Sequence, residues 1–128
     1  GTGQIEIARF AQLADKAAEG RSKGNLGAVR SALSIYYGDN EGVYPASFNQ
    51  LIPKYVRGVP FTQLPGTTCA SSADIQVMQG VKTMDEIKSL LTSKGGYYYV
   101  YDEKSPMHGT FGINCKQPDS KGTPWYLY

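Results

Sequence analysis

The first third of the chain carries a helical pattern. No proline occurs from about Gln4 to Tyr37, and Leu26, Val29, Leu33 and Tyr36 or Tyr37 recur at offsets of three and four, the spacing of one helix face. Glu19 precedes Lys23 by four residues, the favourable order for an ion pair along a helix. Gly38 follows the last periodic residue and leads into Asp39-Asn40-Glu41-Gly42, a stop signal and a loop. The pattern predicts a helix over residues 4–37, roughly 50 Å long at 1.5 Å per residue. Such a helix in a 128-residue chain must protrude or be covered by something else.

The same helix carries a second stripe. Gly20, Gly24, Gly27, Ala28 and Ser31 fall on one side at 100° per residue, opposite Leu26, Val29, Leu33 and Tyr36, with Glu19, Lys23 and Arg30 on one flank. Glycine inside a helix costs about 1 kcal/mol relative to alanine, so three of them in so short a stretch need a reason. One reading is the close approach of another backbone; the other is a weak, solvent-facing stretch. The pattern alone leaves both open.

Beyond the helix, Val43-Tyr44-Pro45 reads as an extended or turn segment. Ala46 to Val56 reads as a short helix capped by Ser47, with Phe48, Leu51, Ile52 and Tyr55 on one face and Pro53 ending or kinking it. Residues 58–72 are rich in Pro, Gly, Ser and Thr and read as loop. Thr83-Met84-Asp85-Glu86 matches a capping box ahead of Ile87, Leu90 and Leu91, a helix that Gly95-Gly96 would end. The period then changes. Tyr97–Tyr101, Phe111–Cys115 and Trp125–Tyr128 read as three strands joined by turn-rich segments, an antiparallel meander. The expected fold class is therefore α+β: a long N-terminal helix packed against a C-terminal antiparallel sheet of about three or four strands. Residues 4–128 form one expected domain, divided into the helix over 4–37, a variable region over 38–95 and the meander over 96–128. Gly1-Thr2-Gly3 are set aside as a scar or processing remnant.

Composition narrows the function. The chain has 41% apolar and 19% charged residues, as a folded domain does, and its net charge of +2 is too mild to argue for nucleic acid. No run of 18 apolar residues occurs. One His and two Cys argue against a zinc site, and His108 has no partner placed by a nucleophile motif, so it reads as a solvated turn residue. Gly24-Asn25-Leu26-Gly27 has the letters of a nucleic-acid-binding loop but lies inside a helical pattern. Asp39-Asn40-Glu41 and Asp102-Glu103 lack the spacing of a calcium loop. No phosphate-binding or dinucleotide motif appears. No cofactor is expected, and the composition points away from an enzyme, toward binding, packing or assembly. Tyrosine is the excess, at ten residues. Tyr97, Tyr99 and Tyr101 share one strand face, with Tyr98 and Val100 on the other. One face could offer an aromatic platform for a partner or a sugar; cross-strand aromatic pairing within the sheet is the expected use, although both faces cannot hide tyrosine unless something covers each. Cys69 and Cys115 are either bridged or free; a bridge would close a loop of about 47 residues and contribute on the order of 4 kcal/mol.

The segment from Phe10 to Tyr44 resembles the type IV pilin and type II secretion pseudopilin superfamily. The likeness lies in Asn25-Leu26-Gly27-Ala28-Val29-Arg30-Ser31-Ala32-Leu33 running into Tyr36-Tyr37-Gly38-Asp39-Asn40-Glu41-Gly42-Val43-Tyr44-Pro45. Leu51-Ile52-Pro53-Lys54-Tyr55 is similar to the short helix that follows in those proteins, and Gly96 to Cys115 with Asp119-Ser120-Lys121-Gly122 looks pilin-like as well. Residues 61–95 carry no resemblance.

That resemblance implies a structural subunit of a type IV pilus-like extracellular filament, with a type II secretion pseudopilin, or a minor tip pilin binding a surface or glycan, as alternatives. It implies a leader cut by a prepilin peptidase and an apolar N-terminal helix, absent from this sequence, that anchors the subunit at the periplasmic face of the bacterial inner membrane before assembly. The implied partners are further copies of the chain, other pilins and that membrane, with nucleic acid only in a DNA-uptake role. Ile7, Phe10, Leu13, Ala17, Gly20, Gly24 and Gly27 form the implied assembly face. Leu26, Val29, Leu33, Tyr36, Val100, Phe111 and Ile113 form the helix–sheet core, and Tyr97, Tyr99, Tyr101 and Trp125 are candidate surface aromatics. The resemblance also favours a Cys69–Cys115 bridge. The acidic calcium-loop pattern of the major pseudopilin is missing, which favours a pilus subunit. Adhesion, motility, DNA uptake and protein export all stay open as roles.

Overall fold

The computed structural model of the chain describes residues 2–128. Gly1 of the expected scar lies outside the described residues, whereas Thr2 and Gly3 continue the helix. Helix α1 spans Thr2–Asp39. It ends with Glu41 at φ 57°, which lets the Gly42 N–H reach back 2.9 Å to the Tyr37 carbonyl and satisfy one of the helix's orphan acceptors. Strands β1 (Ala70–Met78), β2 (Gly95–Val100) and β3 (Phe111–Ile113) form an open sheet in that order, and α2 (Met84–Leu90) connects β1 to β2. The α+β expectation of a long helix packed on a small sheet holds.

The sheet is not the expected meander. β2 and β3 pair antiparallel, but β1 pairs with β2 in parallel, which a crossover through α2 permits and a tight turn does not. The expected third strand over Trp125–Tyr128 is a 3₁₀ turn at Trp125–Leu127. Its entry explains this. Pro124 has no N–H to donate, so only the Trp125 and Tyr126 N–H groups reach the chain after β3, at the carbonyls of Gln117 and Cys115. The short helix expected over 46–56 shrinks to a 3₁₀ turn at Phe48–Gln50. Ser47 caps it, and Pro53 cannot donate to a continuing helix.

Thr83 caps α2 as expected, accepting from the Glu86 N–H at 3.2 Å. The helix stops at Leu90, however, and Gly95-Gly96 opens β2 instead. Pairing advances from Ala70–Gly95 to Ile75–Tyr97, so residues 71–74 bulge over the start of β2. A Cβ on Gly95 would overlap the Ala70 carbonyl there. On the other face, a Cβ on Gly112 would collide with the Tyr98 ring.

Two apolar clusters sandwich the sheet. One lies under α1 and holds Leu26, Val29, Leu33, Leu64, Tyr97, Tyr99, Phe111, Ile113 and Trp125, with Tyr36 packed against it. The other lies under α2 and holds Met78, Val81, Ile87, Leu91, Tyr98, Val100 and Tyr126. Val100 was expected in the helix–sheet core and belongs to this second cluster, because strand alternation turns it away from α1. Tyr97, Tyr99 and Trp125 were candidate surface aromatics and are each 0% exposed. The hydroxyls of the buried tyrosines explain how those rings are accommodated inside. Those of Tyr97, Tyr98 and Tyr99 donate to the carbonyls of Pro60, Tyr126 and Pro45 at 2.7–2.9 Å, so each ring is buried without an unpaired polar tip. Burial pushes the Tyr97 and Tyr98 hydroxyls up to about 12. Tyr101 alone of the four is partly exposed.

Cys69 and Cys115 form a disulfide, with Cα atoms 5.9 Å apart. It ties the residue before β1 to the chain just after β3, so it joins the two outer strands across β2. Replacing both cysteines with alanine is expected to lower the unfolding free energy by about 4 kcal/mol, the loop-closure value for a cross-link 46 residues apart. Chemical denaturation measures this, and an unchanged midpoint would contradict it.

Candidate functional site

α1 docks on the rest of the chain along its second half, from Glu19 onward. Core positions Leu26, Val29 and Leu33 lie on one stripe, and polar contacts flank them. The Ser22 hydroxyl donates to the Gln63 carbonyl at 2.7 Å and accepts from the Gln63 N–H at 2.9 Å. The buried Glu19 carboxylate accepts the Ser120 N–H and hydroxyl, both at 2.7 Å. Arg30 donates to the carbonyls of Phe111, at 2.9 Å, and Tyr128, at 2.6 Å.

Asp119 is the hub of this docking. Its side chain is fully buried and pairs with the Lys23 ammonium at 3.0 Å, while Lys23 remains 30% exposed. The Tyr128 hydroxyl and the N–H groups of Lys121 and Thr123 also donate to it. Burial pushes the Asp119 carboxyl up, but donation from Tyr128, Lys23, Thr123 and Lys121 outweighs this and holds it well below the usual carboxylate range. The same hydrogen bond raises Lys23. The Lys23 ammonium also lies 4.4 Å from the Tyr128 ring centroid, a cation–π contact. The loop over 117–124 is thereby strapped to the helix. The Asp119-Ser120-Lys121-Gly122 turn was visible in the sequence, but its partner Glu19 lies about a hundred residues away.

The opposite side of α1 is unpartnered. Residues 3–17 are all exposed, with Ile7 at 70%, Phe10 at 73% and Leu13 at 63%. Further along, Gly20, Gly24, Gly27, Ala28 and Ser31 are exposed, and a Cβ on any of the three glycines would meet no atom within 4 Å. At 100° per residue, Phe10, Leu13, Ala17, Gly20, Gly24, Gly27 and Ser31 lie on one continuous stripe facing away from the core. Ile35, 57% exposed, extends that stripe and was not anticipated. Ile7 falls about a third of a turn off it. From Phe10 to Ser31 the stripe therefore runs from large apolar residues where α1 protrudes to small ones where it is docked, and Ile35 closes it with a large residue again.

Among the described residues no helix is long and apolar enough to cross a membrane, and no group of His, Cys, Asp and Glu is arranged to hold a metal ion. Comparison with known protein families, with curated proteins and with solved structures finds no match.

The geometry makes two predictions. Gly24→Ala is expected to raise the unfolding free energy by about 0.5–1 kcal/mol, because the site has room and alanine is the better helix former; a loss in thermal denaturation would show that the glycine serves this chain's own packing. Asp119→Asn is expected to cost about 2 kcal/mol at neutral pH, as hydrogen bonds to a charged group are lost. A carboxyl with a lowered folded pKa adds stability above its unfolded value near 3.9 and loses it as pH falls toward the folded one. Urea midpoints of the parent chain should therefore fall below about pH 4 more steeply than those of Asp119→Asn; parallel acid limbs would contradict the role of Asp119.

Proposed function

We propose that this chain is a structural subunit of a type IV pilin-like filament and acts by self-assembly rather than catalysis. One observation carries the reading: a 38-residue helix uses one stripe for its own core and leaves an apolar-to-small stripe uncovered along the opposite side. Three glycines with open space above them have no use within the chain, yet each weakens the helix. A neighbouring helix approaching closely gives them one.

The stripe also contains its own register. Phe10, Leu13 and Ala17 have the same spacing as Gly24, Gly27 and Ser31, fourteen residues later. Parallel helices displaced by that interval, about 21 Å at 1.5 Å per residue, set the large side chains of one copy against the small positions of the next. Knobs on small residues is a geometry that lets backbones approach.

A long helix packed on a small three-stranded sheet with a disulfide is compatible with the pilin arrangement, and the bridge suits the oxidising periplasm or exterior. In this reading the sheet and its loops form the outer surface. The subunit waits at the periplasmic face of the inner membrane, anchored by an upstream apolar helix, and its partners are its own copies and other pilins.

Electron microscopy of cells carrying the full-length gene product tests the proposal. Filaments are expected with the parent and with Lys88→Leu, a change on the exposed side of α2. They should disappear with Gly24→Leu while that variant's folded domain keeps its stability. Filaments unaffected by Gly24→Leu would overturn the assembly face, and a parent that stays monomeric would overturn the function.

A further inference from the structure

The parallel pairing of β1 with β2 brings the carboxyl ends of both strands to one edge of the sheet. In open α/β sheets, ligands bind outside the carboxyl ends of parallel strands where the strand order reverses, and this edge gathers strand exits of the same kind. Here Gln79 and Gly80 leave β1 beside Tyr101, Asp102, Glu103 and Lys104, which leave β2, and together they line a groove of about 620 Å³. The groove is shallow and open to solvent, so it would hold a small ligand against one face.

The walls are held in place. The Asp102 carboxylate accepts the Gly80 N–H at 2.8 Å and the Lys104 N–H at 3.1 Å, which ties the two strand exits together. The Asp102 N–H in turn donates to His108 Nδ1 at 3.0 Å. The His108 ring lies 5.1 Å from the Tyr101 ring, and the Tyr101 hydroxyl donates to Glu103 at 3.3 Å, so the aromatic wall is braced as well. Asp102, with both oxygens already accepting, serves as scaffold. The side chains left to meet a ligand are the Gln79 amide, the Lys104 ammonium, the Glu103 oxygen not engaged by Tyr101 and the exposed part of the Tyr101 ring.

We propose that this groove binds a neutral pyranose. A sugar ring offers an apolar C–H face, which packs on an aromatic ring, and a rim of hydroxyls that both donate and accept. Tyr101 provides the flat amphipathic surface. Glu103 accepts from a pair of hydroxyls, and Gln79 supplies both a donor and an acceptor. Two carboxylates beside one ammonium disfavour a phosphate or another anion. This groove is independent of the α1 stripe, so the filament reading can fail without it.

Two-dimensional NMR of isotope-labelled protein, titrated with the methyl glycosides of glucose, galactose, mannose and N-acetylglucosamine, tests the assignment. At least one glycoside is expected to give saturable shifts confined to residues 79–80 and 101–104, with a Kd on the order of 1 mM. Glu103→Gln and the exposed-site variant Gln79→Ala should each weaken it about tenfold, and Tyr101→Phe should retain more binding than Tyr101→Ala. A linear trisaccharide that binds more tightly than the monosaccharide assigns the groove to a surface glycan; equal affinity assigns it to a free or terminal sugar. No saturable shift with any glycoside, shifts centred elsewhere, or unchanged affinity in Glu103→Gln and Gln79→Ala would overturn the proposal.

Discussion

The contact between α1 and the rest of the chain runs along a single stripe, from Glu19 to Tyr36. A straight helix can present only one such stripe to one sheet. Pressing Leu26, Val29 and Leu33 onto Tyr97, Phe111 and Trp125 therefore turns the glycine side outward. The docked length also fixes what protrudes. Residues 3–17 are exposed, and Phe10 and Leu13 stand in solvent as a consequence of where the core ends.

Polar contacts set the position of the helix more than its hydrophobic contacts do, since apolar packing is non-directional. Glu19 and Lys23 reach the loop after β3, Ser22 reaches the chain before β1, and Arg30 reaches β3 itself. Asp119 collects donors from α1, from its own turn and from Tyr128, which makes the loop a strap across the helix. On the far side of the sheet, α2 and Tyr126 cover Tyr98 and Val100, so a narrow sheet carries aromatic residues on both faces without exposing either.

Features that depend on local spacing were legible in the sequence. α1, its core positions, its small-residue stripe and the Thr83 cap all follow from offsets of three and four or from one side chain reaching one N–H. Features that depend on distant pairing were not. β1 carries few apolar residues in its first half, where it bulges, so its start fell within the stretch over 58–72 that reads as loop, and its parallel partner is defined only through α2. Trp125–Tyr128 has the composition of a strand, but Pro124 and the Asp119 strap leave room for only two ladder bonds. Which tyrosines are buried was not legible in the sequence, because the carbonyls that satisfy them, from Pro45, Pro60 and Tyr126, are brought in by the fold. The groove at the ends of β1 and β2 depends on the same parallel pairing and has no local signature.

The central claim is that the outward stripe of α1 is covered by a second copy of the same helix in one register. Cysteines placed at Phe10 and Gly24 of the full-length chain test that most directly. Under mild oxidation in filaments, the account predicts a ladder of disulfide-linked multimers for the Phe10→Cys/Gly24→Cys chain and none for Ile7→Cys/Gly24→Cys, since Ile7 lies off the stripe. Filaments that form but give no Phe10–Gly24 cross-link, or cross-link equally through Ile7, would contradict it.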